Sequence, residues 1–195
     1  MQRTLPDEIR VLALDPSPEG FGFAVLEGPE RMIDWGVKSI PPDVSDKNAA
    51  CVKLATELIE RYRPLVLAVE DASAPSSRRQ PRVKELLELM RQLAGEKRLR
   101  VANLSPMRVH RAFRPRKDVI AAALAGRFPE LAPQLPRPRK CGDSEHSAMP
   151  VFDAAALGST FFYFRNRIRL HEERKALRTL ASGSRGGFDR SRSDL

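Results

Sequence analysis

The run Leu65-Val66-Leu67-Ala68-Val69 carries no polar side chain, which suits a strand covered on both faces. Such a strand is a parallel one inside a sheet, with helices above and below it. Upstream, residues 11–14, 21–26 and 32–40 (around Trp35) are β-rich runs joined by turns at Pro16, Pro18 and Gly20 and at Gly28-Pro29-Glu30. Short strands with tight connections predict an antiparallel meander. Helical spacing of Ala49, Val52, Ala55, Leu58, Ile59 and Tyr62 predicts a helix over 45–62, ended before Pro64. A loop over 72–81, a helix over 82–94 and a strand over 100–104 follow. Ser105-Pro106 opens a short helix over 108–112, and another helix runs over 117–128. Residues 129–142, rich in proline and arginine, read as a loop, and 144–164 as a last helix kinked or restarted at Pro150. The order βββαβαβ followed by helices describes an α/β domain with a mixed five-stranded sheet, three antiparallel strands leading into parallel ones, flanked by helices.

Three acids sit where apolar runs end or begin: Asp15 after Val11–Leu14, Glu70 after Val69, and Asp153 opening Asp153-Ala154-Ala155-Ala156-Leu157. A carboxylate at the end of a buried strand carries a desolvation cost that something must offset. A divalent cation does so, and hard oxygen ligands suit Mg2+ or Mn2+. If the first and fourth strands are neighbours, Asp15 and Glu70 leave the sheet at one edge. The small residues around Asp153 allow its helix to come close to that edge. Each acid also has a plainer reading. Asp15 fits an Asx-type turn before Pro16, Glu70 fits a loop cap, and Asp153 fits a helix acid paired with an arginine.

The formal net charge of +9 and the sequence pI of about 10.1 point to a polyanionic partner. No stretch approaches the ~18 apolar residues of a spanning helix. The N-terminus lacks a signal-peptide apolar core, so the expected location is the cytoplasm, with no membrane partner. Cys51 and Cys141 are isolated and form neither a disulfide framework nor a zinc-ligand pattern.

These segments resemble the RuvC family of Holliday junction resolvases, within the RNase H-like superfamily. Val11-Leu12-Ala13-Leu14-Asp15-Pro16-Ser17 followed by Gly20–Val25 is similar to that family's first hairpin, whose strand-end Asp binds metal. Arg63–Glu70 is similar to its fourth strand and catalytic Glu, and Asp153–Leu157 to the Asp-Ala-x-Ala stretch of its last helix. The resemblance covers residues 10–165. It implies an RNase H-like nuclease domain there, after a lead-in over 1–9 and before a basic, flexible tail over 166–195. It also implies an Mg2+-dependent (or Mn2+-dependent) endodeoxyribonuclease with two ions, acting as a homodimer on branched DNA in recombination or repair. Asp15, Glu70 and Asp153 would hold the metal, and Lys117 resembles a basic residue that the family places near the scissile phosphate. Two positions depart from the pattern. Ser17 replaces a usual glycine. Pro150 stands where the family often has a fourth ligand, so His146, Asp143 and Glu145 are the substitutes considered.

Three basic groups follow segments expected at the acids' edge: Arg78, Arg79, Arg82 and Lys84; Arg108, Arg111, Arg114, Arg116 and Lys117; and Arg137, Arg139 and Lys140. Contacts of that kind with phosphates give affinity without sequence reading, although a charge run is usually a solvated face. Phe113, between Arg111 and Arg114, reads either as a wedge against a base or as core. Arg185, Arg190 and Arg192 in the tail add possible backbone contacts. The apolar stripe of the 82–94 helix reads as core-facing or as a two-fold pairing surface. Pro150 also keeps a second reading open, a catalytically impaired RNase H-like nucleic-acid-binding module. A third, an actin-like sugar kinase, is disfavoured by the short chain.

Overall fold

A computed structural model of the chain describes residues 9–75, 78–113, 116–137 and 146–183, apart from the side chains of Lys117 and of residues 172–183. Strands β1 (Arg10–Ser17), β2 (Gly20–Glu27) and β3 (Met32–Ser39) form the expected meander. β4 (Val66–Glu70) lies parallel to β1, and β5 (Arg100–Leu104) parallel to β4, giving the spatial order β3-β2-β1-β4-β5. The apolar run of β4 is therefore an inner parallel strand, as its composition demands.

Alternation along the strands sorts the core into two layers. Leu12, Leu14, Leu67 and Val69 point to one face. There they meet α1 (Lys47–Tyr62) and α2 (Pro81–Glu96) through Cys51, Ala55, Leu58, Val83, Leu86, Leu87 and Met90. The stripe of α2 is thus used by the core. Val11, Ala13, Val66 and Ala68 point to the opposite face. It is covered by α4 (Lys117–Arg127) and α5 (Met149–Gly183), with the short α3 (Pro106–Ala112) lying against α5. No helix among the described residues is long and apolar enough to cross a membrane.

Two glycines let α5 come close to the sheet. A Cβ on Gly158 would stand 2.5 Å from Leu26 Cδ1, and one on Gly22 would stand 2.1 Å from the carbonyl oxygen of Pro150. Gly22 pairs directly with Asp15 across β1 and β2. The start of α5 therefore rests on the backbone next to Asp15, and Asp153 follows within one turn.

Several boundaries differ from the sequence-based expectations. The last helix begins at Met149 rather than 144. Pro150, its second residue, does not kink it, because a proline ring fits the first turn, where no backbone N–H partner is needed. The expected domain end at 165 falls inside α5, which continues to Gly183. Ile9, assigned to the lead-in, is core at 1% exposure. The loop expected over 129–142 opens as a 3-10 turn, Pro129–Gln134.

Candidate functional site

Asp15 and Glu70 reach the same face of the sheet for a countable reason. β1 and β4 pair in parallel as Val11 with Val66 and Ala13 with Ala68. Two residues further on, Asp15 and Glu70 continue the side-chain set that faces α5. Both lie at the carboxyl ends of their strands, the usual edge for ligands in parallel sheets. Asp153, on α5, joins them on the wall of a cavity of about 110 Å3, with His110 of α3, Ile120 of α4, and Leu104, Pro106, Val109, Ala156 and Leu157. Asp15 is 4% exposed.

Arg79 completes this wall. Its Nη2 bonds Asp15 Oδ1 and lies 2.6 Å from Glu70 Oε2, its Nε donates to Glu70 Oε2 at 2.8 Å, and its Nη1 donates to the Pro16 carbonyl at 3.0 Å. Burial pulls the Arg79 guanidinium toward losing its proton. The charges and hydrogen bonds of Asp15 and Glu70 outweigh that and hold its pKa above the ordinary arginine value. Two carboxylates from separate strands thus converge on one positively charged atom. That convergence, with a third carboxylate on the same wall and only hard oxygen donors among the acids, fits a divalent cation. Among the described residues, no three acidic, His or Cys side chains are gathered at ligand spacing. Arg79 stands between two of them.

No family model matches the chain. A stretch of 67 residues is 37% identical to the crossover junction endodeoxyribonuclease RuvC of Akkermansia muciniphila, covering 32% of this chain and 40% of that protein. The match thus spans well under two thirds of that relative's length. Among solved structures, Thermus thermophilus RuvC in complex with a Holliday junction substrate superposes with a TM-score of 0.61. The identity is 22%, over 80% of this chain and 96% of that one. The fold is that of the RuvC resolvases. The yeast mitochondrial Holliday junction resolvase shares it at a TM-score of 0.55 and 16% identity, over 88% of this chain and 85% of that one. The fowlpox virus resolvase does so at 0.51 and 10%, over 80% and 98%.

Within this RuvC-like fold the fourth-ligand candidates fare differently. His146 lies outside the acids' cavity, in a separate depression with Ser17, Glu19, Val37, Gln134 and Pro150. Its Nδ1 accepts from the Ala148 amide at 3.2 Å. The helical-face argument for His146 fails because the chain there is not helix; α5 begins three residues later. Asp143 and Glu145 lie outside the described residues. Pro150 itself rests on Gly22. The histidine on the cavity wall is His110, which the sequence reading passed over. Its only signal is its place in the helix that follows a strand ending at this edge.

The basic groups divide as well. Arg78, Lys84, Arg108, Arg111 and Arg116 are exposed. Arg108 stacks its guanidinium 5.3 Å from the Phe164 ring centre, and Arg116 pairs with Asp118 at 2.7 Å. Arg82 is turned inward. It donates to Asn48 Oδ1 at 2.8 Å and to the Ser17 carbonyl at 2.9 Å, with a further bond to Pro18, and so clamps the β1–β2 hairpin instead of facing solvent as a phosphate contact. Arg79, expected on the nucleic-acid surface, lies between the acids. Phe113 packs partly buried against the α5-side core, not outward as a wedge. Arg114, Arg139 and Lys140 lie outside the described residues, as does the Lys117 side chain; the Lys117 backbone is the first residue of α4.

Proposed function

We propose that this chain is a divalent-metal-dependent endonuclease that hydrolyses phosphodiesters in branched DNA and resolves four-way junctions during recombination or repair. The observation that carries it is the convergence of Asp15 and Glu70 on one cationic atom, in a cavity that Asp153 also lines. Exposed Arg78, Arg108 and Arg111 follow β4 and β5, whose carboxyl ends form the edge at which the acids lie. A polyanion drawn to this basic chain meets a site that would otherwise repel it.

Asp15, Glu70 and Asp153 would hold Mg2+ or Mn2+, in a pair. Such ions supply an activated water and stabilise the leaving oxygen of a phosphodiester. The strands fix the positions of Asp15 and Glu70, so little reorganisation is needed at the moment of reaction. Asp153 is carried in by the docking of α5. His110 offers an imidazole hydrogen bond on the cavity wall. Lys117, opening α4, is the residue assigned to the charge that develops on the phosphate. Arg78, Lys84, Arg108 and Arg111 position the backbone. One site cuts one strand, so symmetric resolution takes a homodimer. With the stripe of α2 used by the core, the pairing surface is not that stripe.

Incubating the purified protein with a four-way junction, linear duplex and RNA–DNA hybrid, with Mg2+, with Mn2+ and with EDTA, tests this. Paired nicks at symmetric positions in the junction, lost in EDTA, are the expected outcome. Equal cutting of all three substrates overturns junction specificity, and no cutting with either metal overturns the nuclease.

A further inference from the structure

Arg79 stands where the proposed metal would be held, and the geometry points to a built-in gate. The Arg79 guanidinium is an internal cation that offsets part of the charge of Asp15 and Glu70 and withdraws when a divalent ion binds. The inference rests on the metal reading above and deepens it.

Three nitrogens of one guanidinium serve Asp15, Glu70 and the Pro16 carbonyl, and one of them, Nη2, bridges the two carboxylates. A cation held between buried Asp15 and partly buried Glu70 and a divalent ion drawn to the same acids repel one another at close range, strongly so where water is scarce. Binding is therefore an exchange of one cation for another of twice the charge. Arginine suits the waiting role because it stays protonated and its planar fork bonds carboxylates from two directions.

The path of withdrawal is short. The Arg79 side chain keeps 25% exposure, and its backbone belongs to the loop between β4 and α2. At one end of that loop, Ser73 donates its amide (3.1 Å) and hydroxyl (2.6 Å) to Asp71; at the other end α2 starts at Pro81. Released, Arg79 comes out beside the exposed Arg78, on the face assigned to the DNA backbone. One side chain then has two stations, counter-ion before loading and phosphate contact after it. Loading the site and freeing Arg79 for DNA become one event.

A gate of this kind weakens apparent metal affinity by the fraction of molecules in which it stands open. Mn2+ titrated into the full chain, with unbound ion read by electron paramagnetic resonance, measures this directly. Arg79→Gln is expected to bind Mn2+ about tenfold or more tightly than the unaltered protein. Arg31→Gln, a surface cation paired with Glu27, is expected to change nothing. In the unaltered protein, phenylglyoxal labelling of Arg79, mapped by peptide mass, is expected to rise several-fold when Mn2+ is added. That second reading stands even if Arg79→Gln fails to fold. Equal Mn2+ affinity with unchanged labelling overturns the gate and leaves the metal site intact. No Mn2+ binding to either protein overturns the gate and the metal reading together.

Discussion

Asp15 is a carboxylate 4% exposed at the end of an inner strand, where an uncompensated charge costs several kcal/mol. Arg79 offsets that cost through its ion pair with Asp15. Replacing Asp15 with Asn removes one ligand and leaves Arg79 bonded to Glu70 and the Pro16 carbonyl, so the fold should persist. Losing several kcal/mol of transition-state stabilisation corresponds to about a 10^3-fold loss in junction cleavage. Single-turnover cleavage should show that loss, while junction binding in a gel-shift assay stays within about threefold, because the proposed phosphate contacts lie elsewhere. Equal loss of binding and cleavage would place Asp15 in the structure rather than in the chemistry. At this scale the acids were legible because an acid at the end of an apolar run is anomalous in itself. The inward turn of Arg79 was not, since nothing local separates it from Arg78; only the strand partners of Asp15 and Glu70 decide which arginine is drawn in. His146 was misplaced for a different reason. A helix was extended through residues that are not helical, and the seven-residue spacing then carried no meaning.

The element that completes the site is α5, and the backbone it rests on is that of Gly22. Adding a Cβ there places it 2.1 Å from the Pro150 carbonyl oxygen, a contact that neither backbone can absorb without moving. Gly22→Ala should cost about 1–3 kcal/mol or more through overpacking. A cost of that size lowers the melting temperature by about 2–4 °C per kcal/mol in a domain of this length. It should also reduce cleavage more than binding, because Asp153 rides on the displaced helix. Gly95→Ala, in α2 with nothing within 4 Å of the added Cβ, should instead stabilise by about 0.5–1 kcal/mol. Calorimetry of the two variants beside the unaltered protein checks both signs. The same contact explains Pro150. A proline in the first turn of α5 closes the position to any ligand and seats the helix that brings Asp153 in. The element order was legible from the apolar periodicities, and the start of α5 was not. Pro150 marked that start, since a proline suits the first turn of a helix, but it stands inside the stretch expected to be helical, where it reads as a kink.

The whole molecule combines a formal net charge of +9 with a pocket of three acids, and these belong together. A positive surface would draw a polyanion over a distance of about a Debye length, and a divalent ion held among the acids would make that pocket attractive to it. The RuvC-like sheet makes this possible by running β1 and β4 in parallel, so that two chain-distant carboxylates leave at one edge. Composition and charge pointed to a polyanionic partner, and the strand order announced the edge. Which cations line that edge, and which are spent on Asn48, on the hairpin carbonyls or on Phe164, depended on packing that no stretch of sequence encodes by itself. As proposed, Asp15, Glu70 and Asp153 form one metal centre. The most direct measurement is an anomalous-scattering map from crystals of the full chain grown with Mn2+. Manganese peaks are expected against these three carboxylates, with Arg79 turned away from them. Manganese bound elsewhere, or none while Arg79 still bridges Asp15 and Glu70, would contradict that proposal.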